Sequence, residues 1–187
     1  MLIYPRWRGS AKSAVNFGIL KRQIMSGKDF SPLSSLIHRY ISLEKEILKR
    51  VGDISNTFCF KCQTKCCEEK ICRESIESQF LSRLIKLQHI EYEEKKGWMS
   101  PYGCRLDYGR PLVCYEFFCE QILANTNFKA SNIQQAVKEF TSIGNRAYGN
   151  THLICVDNLS LISPKKIFKI NNHISNLMEK LANRNAF

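Results

Sequence analysis

The chain has 187 residues, of which 44% are hydrophobic, and its formal net charge is +11. This length and apolar content suffice for one domain over residues 1–187 with its own core, so a bound metal would supplement that core and not replace it. No apolar run approaches the roughly 18 residues of a membrane-spanning helix. Basic residues within residues 1–30 interrupt any apolar stretch of the length that a secretory signal requires, and we therefore expect a cytoplasmic protein.

The N-terminal part predicts a basic arm or packed leader over residues 1–30, with one short helix at residues 14–25. Ser31 and Pro32 are typical of an N-cap and a first helical turn. Apolar residues follow at intervals of three and four until Gly52. This pattern predicts an amphipathic helix of about five turns before the cysteine-rich region.

The middle of the chain predicts two further helices separated by a loop. After Cys72, apolar residues at helical spacing predict an amphipathic helix that reaches about Ile85. Residues 91–110 combine glycines, a proline and aromatic residues, which indicates a tightly folded loop without a regular element. Pro111 can open a helix that runs to about Ala124 and carries two cysteines.

The C-terminal third predicts a capped helix, a small hairpin and a last helix. Ser131 and Gln134 form a capping box before an apolar periodic segment. The apolar runs at residues 152–156 and 159–162 are consistent with a small β-hairpin. Ser163 with the following proline predicts the cap of a final helix. The fold class is therefore mainly α, with an irregular cysteine-rich metal-binding centre packed among amphipathic helices and one small β-hairpin.

Eight of the nine cysteines lie between residues 59 and 119, and this density is the main functional signal. Thiolates this close together are held by disulfides or by a metal. Disulfides are disfavoured because nine cysteines cannot all pair and a reducing compartment is expected. We predict a metal-binding core over residues 59–119, with the ligand candidates Cys59, Cys62, Cys66, Cys67, Cys72, Cys104, Cys114 and Cys119.

The spacing of these cysteines favours more than one metal centre. Cys66 and Cys67 are adjacent, so their side chains diverge if the backbone is extended. Cys114 and Cys119 would be rotated by about 140° on an ideal helix, so one metal can bind both only if the helix is distorted or ends between them. Sulfur-only tetrahedral sites suit zinc and iron–sulfur clusters alike, and the residues leave zinc and iron both open.

The remaining polar residues show no comparable pattern. Lysines and arginines near the cysteines either lower thiol pKa values or are simply solvated. Cys155 lies in an apolar run and is predicted to be a small buried residue outside the metal site. No residue is marked as a general acid or base. The four histidines are scattered, and none makes a close ligand pair: His38, His89, His152 and His173.

Two cysteine blocks together carry a family resemblance. The pattern CxxCxxxCC at residues 59–67 is followed by Gly-Cys-Arg-Leu at residues 103–106 and by Arg-Pro-Leu-Val-Cys at residues 110–114. This combination, which covers about a third of the chain, resembles the YkgJ-like family of bacterial cysteine-cluster proteins, described as zinc- or iron-chelating. Many relatives have another cysteine shortly before the Gly-Cys step, where this chain has none, and Cys72 is the nearest substitute. The resemblance implies the ligands Cys59, Cys62, Cys66, Cys67, Cys104, Cys114 and Cys119.

Three functions are compatible with these observations. The first is a protein that binds zinc or iron through thiolates in a structural, storage, sensing or delivery role. The second is an iron–sulfur-dependent protein-modifying enzyme, since the resemblance extends to flagellin lysine N-methylases, although the chain has no Gly-rich nucleotide-binding signature. The third is a zinc-stabilised adaptor with a basic surface, for which nucleic acid is a conceivable partner that no motif supports.

Overall fold

A computed structural model of the chain describes residues 31–59, 68–100, 103–124 and 133–183. This part is mainly helical with one two-stranded antiparallel hairpin, which confirms the predicted fold class. The helices are α1 Pro32–Cys59, α2 Glu69–Glu77, α3 Gln79–Lys86, α4 Val113–Glu116, α5 Glu120–Leu123, α6 Ile133–Thr141 and α7 Pro164–Ala182. The strands are β1 Met99–Ser100 and β2 Gly103–Cys104, and two 3₁₀ helices, η1 Leu153–Cys155 and η2 Leu159–Leu161, precede α7.

Helix α1 begins as the sequence predicts and ends later. The Ser31 hydroxyl oxygen accepts a hydrogen bond from the Ser34 N–H at 3.2 Å, which caps the first turn. The predicted end at Gly52 is wrong, because α1 continues through this glycine to Cys59. A glycine inside a helix costs only about 1 kcal/mol relative to alanine. Ile54, which follows this glycine, packs against the core and favours the continued helix.

The core lies where α1 packs against α5, α6 and α7. Tyr40 of α1 contacts Phe80 edge-on at 5.0 Å between ring centroids and Phe140 of α6 at 5.4 Å. Tyr115 of α4 also contacts Phe140, edge-on, at 5.0 Å between ring centroids. These aromatic contacts join four helices to one cluster. Its fully buried members include Leu36, Tyr40, Leu43, Ile47, Phe80, Leu81, Leu84, Tyr115 and Phe140.

The helix predicted after Cys72 is two helices. Helix α2 already begins at Glu69, and the chain is extended at Ser78 before α3 begins. The buried Ser78 hydroxyl donates to the Ile154 carbonyl at 2.6 Å and accepts from the Leu81 N–H at 3.2 Å. The bond from Leu81 caps α3, and the bond to Ile154 joins the break to η1, so a local cap and a tertiary contact both favour the break here.

The predicted hairpin is in a different place. Residues 152–162 form the 3₁₀ helices η1 and η2, because His152 and Asn158 accept hydrogen bonds from backbone N–H groups two residues further on. The observed hairpin pairs Met99 with Cys104 and lies within residues 91–110, where the sequence predicted no regular element. The last helix is confirmed, since Ser163 caps α7. Ser131 and residues 14–25 lie outside the described residues.

Among the described residues, no helix has the length and apolar character needed to cross a membrane.

The partly buried imidazole of His152 is expected to make the protein less stable in mild acid. Its Nε2 donates to the Thr141 carbonyl at 3.0 Å, while Nδ1 accepts from the Ile154 N–H at 3.2 Å, so the neutral imidazole fits both contacts. Burial lowers the pKa of His152 from its usual value of 6.5. The unfolded chain therefore binds more protons below about pH 6.5, and the free energy of unfolding should fall as the pH drops through this range.

Urea unfolding of the wild type and of His152→Gln at about pH 7.5 and about pH 5.5 measures this effect. The wild type should lose more stability on acidification than the variant, which has no ionisable group at this position. Equal losses in the two proteins would contradict the assignment of the acid sensitivity to His152.

Candidate metal centre

The structure describes the side chains of Cys72, Cys104, Cys114 and Cys119, which are half of the eight predicted ligands. Cys59 is the last residue of α1. Three predicted ligands of the first block, Cys62, Cys66 and Cys67, lie outside the described residues. The arrangement of the first block therefore stays a prediction.

Cys72 lies in a closely packed apolar cluster. Its side chain is 7% exposed and packs with Ile85, Trp98 and Leu106. Gly97 lies directly against it, since a Cβ atom at position 97 would be 2.6 Å from the Cys72 Cβ and 2.8 Å from its Sγ. Gly97 also has a φ of +59°, which favours glycine. The close approach and the backbone conformation together explain why glycine occupies this position.

A buried chain of hydrogen bonds holds Trp98 against α2. The Trp98 Nε1 donates to the Ser75 Oγ at 2.6 Å, and Ser75 Oγ donates to the Cys72 carbonyl at 2.6 Å. Ser75 is fully buried, so each of these bonds offsets a desolvation cost. The environment of Cys72 is therefore built by residues of α2, of α3 and of the segments just before and after the hairpin.

Tyr92 covers the outer side of the same cluster. Its ring contacts Trp98 edge-on at 5.0 Å, and its hydroxyl donates to the Glu69 Oε1 at 2.8 Å. Desolvation, the hydrogen bond and the charge of Glu69 raise the pKa of Tyr92 to about 12. The hydrogen bond from Tyr92 and the contact with Arg73 lower the pKa of Glu69. Tyr92 therefore stays neutral and keeps donating to Glu69 throughout the physiological pH range.

Cys104 belongs to the same part of the molecule as Cys72. It is half-buried on β2 and packs against the cluster that contains Cys72 and Trp98. The fold thus brings Cys104, from the second cysteine block, against the apolar cluster that contains Cys72. Cys72 follows the first block in sequence.

The helix predicted to carry Cys114 and Cys119 is broken between them. Helix α4 ends at Glu116, Phe117 is extended, and Cys119 is the N-cap residue of α5. Cys114 is exposed, whereas Cys119 is half-buried and packs against the main core. One metal can bind both cysteines only if the helix is distorted or ends between them. The observed break meets this requirement.

Glu44 is a buried residue near the second cysteine block that the sequence reasoning missed. It is fully buried, and its Oε1 accepts hydrogen bonds from the Arg110 N–H at 2.9 Å and from the Tyr115 hydroxyl. Burial raises the pKa of Glu44, and the hydrogen bonds from the Tyr115 hydroxyl and the Arg110 N–H oppose this shift. A signal was present, because Glu44 stands four residues after Tyr40 within the apolar stripe of α1.

The loop that leads to Cys114 is held by side chains that bind its backbone. The Gln88 amide donates to the Tyr108 carbonyl at 3.0 Å and accepts from the Asp107 N–H at 2.8 Å. Arg110 donates from Nε and Nη2 to the Leu106 carbonyl at 3.0 and 2.6 Å. Because these bonds close the loop over residues 106–110, its shape is defined by protein contacts.

The described residues contain no group of three or more His, Cys, Asp and Glu side chains arranged to hold a metal ion. The prediction that Cys155 is buried is wrong, since its side chain is exposed in η1 between the buried Ile154 and Val156. A 3₁₀ turn points successive side chains in different directions, so one residue of an apolar run can face solvent.

Comparisons of the chain with family models, with curated proteins and with solved structures found no match.

Proposed function

We propose that the chain binds zinc or iron through a thiolate centre formed jointly by the cysteines of residues 59–67 and those of residues 104–119, with Cys72 as a further ligand. The compartment that suits reduced thiols is the cytoplasm. A single mononuclear ion, two ions and an iron–sulfur cluster all fit the number of thiols. Each ligand thiol loses its proton on binding, so the affinity for metal should fall in acid.

The observation that carries this proposal is the attachment of both cysteine blocks to α1. Cys59 is the last residue of this helix. The same helix packs against α5, which Cys119 precedes, and its Glu44 binds the backbone of Arg110 close to Cys114. One helix thus carries the start of the first block and contacts the second block, at points about 22 Å apart along its axis, a distance that the residues after Cys59 must span. Cys72 and Cys104 share an apolar cluster, which links the second block to the cysteine that follows the first block in sequence.

Metal analysis and an absorption spectrum of anaerobically purified protein test the proposal. We expect at least one zinc or iron per chain. An iron–sulfur centre absorbs visible light, whereas zinc is colourless, so the spectrum separates the two. Apoprotein reconstituted with Co²⁺ should show thiolate charge-transfer bands, and alkylated apoprotein is the matched control. Protein that holds no metal after purification and after reconstitution with zinc and with iron would contradict the proposal.

A further inference from the structure

We propose that Glu44 is a positioning residue for Cys114: by binding the chain before and after this cysteine, it holds the thiol in place for the metal. This inference rests on the proposed function, because it assigns a role within the same thiolate centre.

In the sequence, Cys114 lies between two residues that donate hydrogen bonds to the same carboxylate oxygen of Glu44. Oε1 of Glu44 accepts from the Arg110 N–H, four residues before Cys114, and from the Tyr115 hydroxyl, one residue after it. Tyr115 is fully buried while Cys114 is exposed. Neighbouring residues on a helix are rotated by about 100° from each other. Holding Tyr115 inward therefore turns Cys114 towards the surface.

The Cys114 segment needs such external support. Helix α4 has only four residues, Val113–Glu116, and a helix this short is not stable on its own in water. Helix α1 supplies a second contact to the same loop, where the Lys45 Nζ lies 5.0 Å from the centre of the Tyr108 ring. The Phe140 ring also contacts the Tyr115 ring edge-on at 5.0 Å. These contacts involve protein groups alone, so the segment should keep its shape in the apoprotein.

A glutamate at position 44 would be unfavourable if the side chain only packed against the core. A buried carboxyl group costs more to desolvate than an apolar side chain of similar size. Its Oε2 is buried and has no hydrogen-bond partner among the described residues, so this cost is only partly offset. What a carboxyl oxygen provides, and an apolar side chain does not, is an acceptor for two donors at once. Because those donors lie on either side of Cys114 in the sequence, the acceptor can fix the position of this cysteine.

Three variants test the proposal. Glu44→Leu removes both acceptor contacts, Tyr115→Phe removes one, and Glu44→Gln keeps an oxygen that can accept from both donors. The matched control is Glu46→Gln on the same helix, because Glu46 binds Arg50 at 2.9 Å and is not among the residues that hold the Cys114 segment. Co²⁺ affinity, the Co²⁺ charge-transfer spectrum and thermal unfolding are measured for each, with hydrogen exchange of the Arg110 amide in the apoprotein.

We expect Glu44→Leu to weaken Co²⁺ binding by about tenfold to hundredfold, the usual effect of losing a group that orients a metal ligand. Tyr115→Phe should weaken it less, Glu44→Gln should restore most of the affinity, and Glu46→Gln should leave it unchanged. The Arg110 amide should exchange faster in Glu44→Leu. If that variant does not fold, the comparison of Tyr115→Phe with Glu44→Gln decides.

The outcomes separate the two proposals. Wild-type affinity and a wild-type Co²⁺ spectrum in Glu44→Leu and Tyr115→Phe, even with a lower melting temperature, would overturn the positioning role and leave metal binding intact. A wild-type protein that binds no Co²⁺, zinc or iron would overturn the proposed function itself and the positioning role with it.

Discussion

Replacing Cys62 by alanine should lower the metal content of the protein, whereas replacing Cys155 by alanine should leave it unchanged. Cys62 is separated from Cys59 by two residues, the spacing that lets one ion bind two sulfurs of a short turn. Loss of a residue that only orients a metal ligand weakens metal binding by roughly tenfold to hundredfold. Loss of the ligand itself should weaken metal binding by more than this. Metal per chain, measured after equilibration with a competing chelator, reports the difference.

Cys155 is a suitable control because it is a cysteine outside the predicted centre. It is exposed in η1, far along the chain from the two cysteine blocks. Since its side chain is exposed, Cys155→Ser should also leave the free energy of unfolding within about 0.5 kcal/mol of the wild type. Equal losses of metal from the Cys62 and Cys155 variants would show that the ligand assignment is incorrect.

Gly97→Ala should strongly destabilise the region around Cys72. A Cβ atom at position 97 would lie 2.6 Å from the Cys72 Cβ, and such a contact forces the neighbouring helix or the loop to move. Forcing extra volume into a packed core costs about 1–3 kcal/mol. The left-handed conformation, with φ at +59°, adds about 1–2 kcal/mol for a residue other than glycine. We therefore expect a loss of about 2–5 kcal/mol in urea unfolding.

Gly149→Ala is the matched control for this substitution. Gly149 has a φ of +57°, almost the same as Gly97, but a Cβ atom there meets nothing within 4 Å. The control should therefore lose only the backbone contribution of about 1–2 kcal/mol. The difference between the two variants isolates the contact with Cys72. Equal destabilisation by the two would mean that Cys72 and Gly97 are not packed as described.

Gly97→Ala also probes whether Cys72 is a ligand. If Cys72 binds metal, a displaced thiol should weaken the centre, and the loss of metal should exceed that in Gly149→Ala. Wild-type metal affinity in a folded Gly97→Ala protein would favour a purely structural role for Cys72, in which its sulfur packs with Trp98 as an apolar group.

The sequence by itself determined the elements whose signals are local. Ser163 caps α7 as predicted, and the start of α1 follows from Ser31 and Pro32, because side-chain capping and a proline in the first turn need only neighbouring residues. Apolar residues at intervals of three and four indicated the helical class, since a helix must bury one face. The density of cysteines is likewise readable from the chain alone, and it is the basis of the metal prediction.

Only the tertiary structure decided where the helices break and which side chains are buried. At Ser78, where α2 ends, the hydroxyl binds the distant Ile154 carbonyl. The spacing of apolar residues in the sequence does not indicate this partner. Glu44 is buried because donors on a loop 66 residues further along the chain meet it. Cys155 faces solvent because a 3₁₀ turn replaces the expected strand. At Ser78 and Glu44, contacts between residues far apart in sequence outweigh local preferences whose individual contributions are about 1 kcal/mol or less.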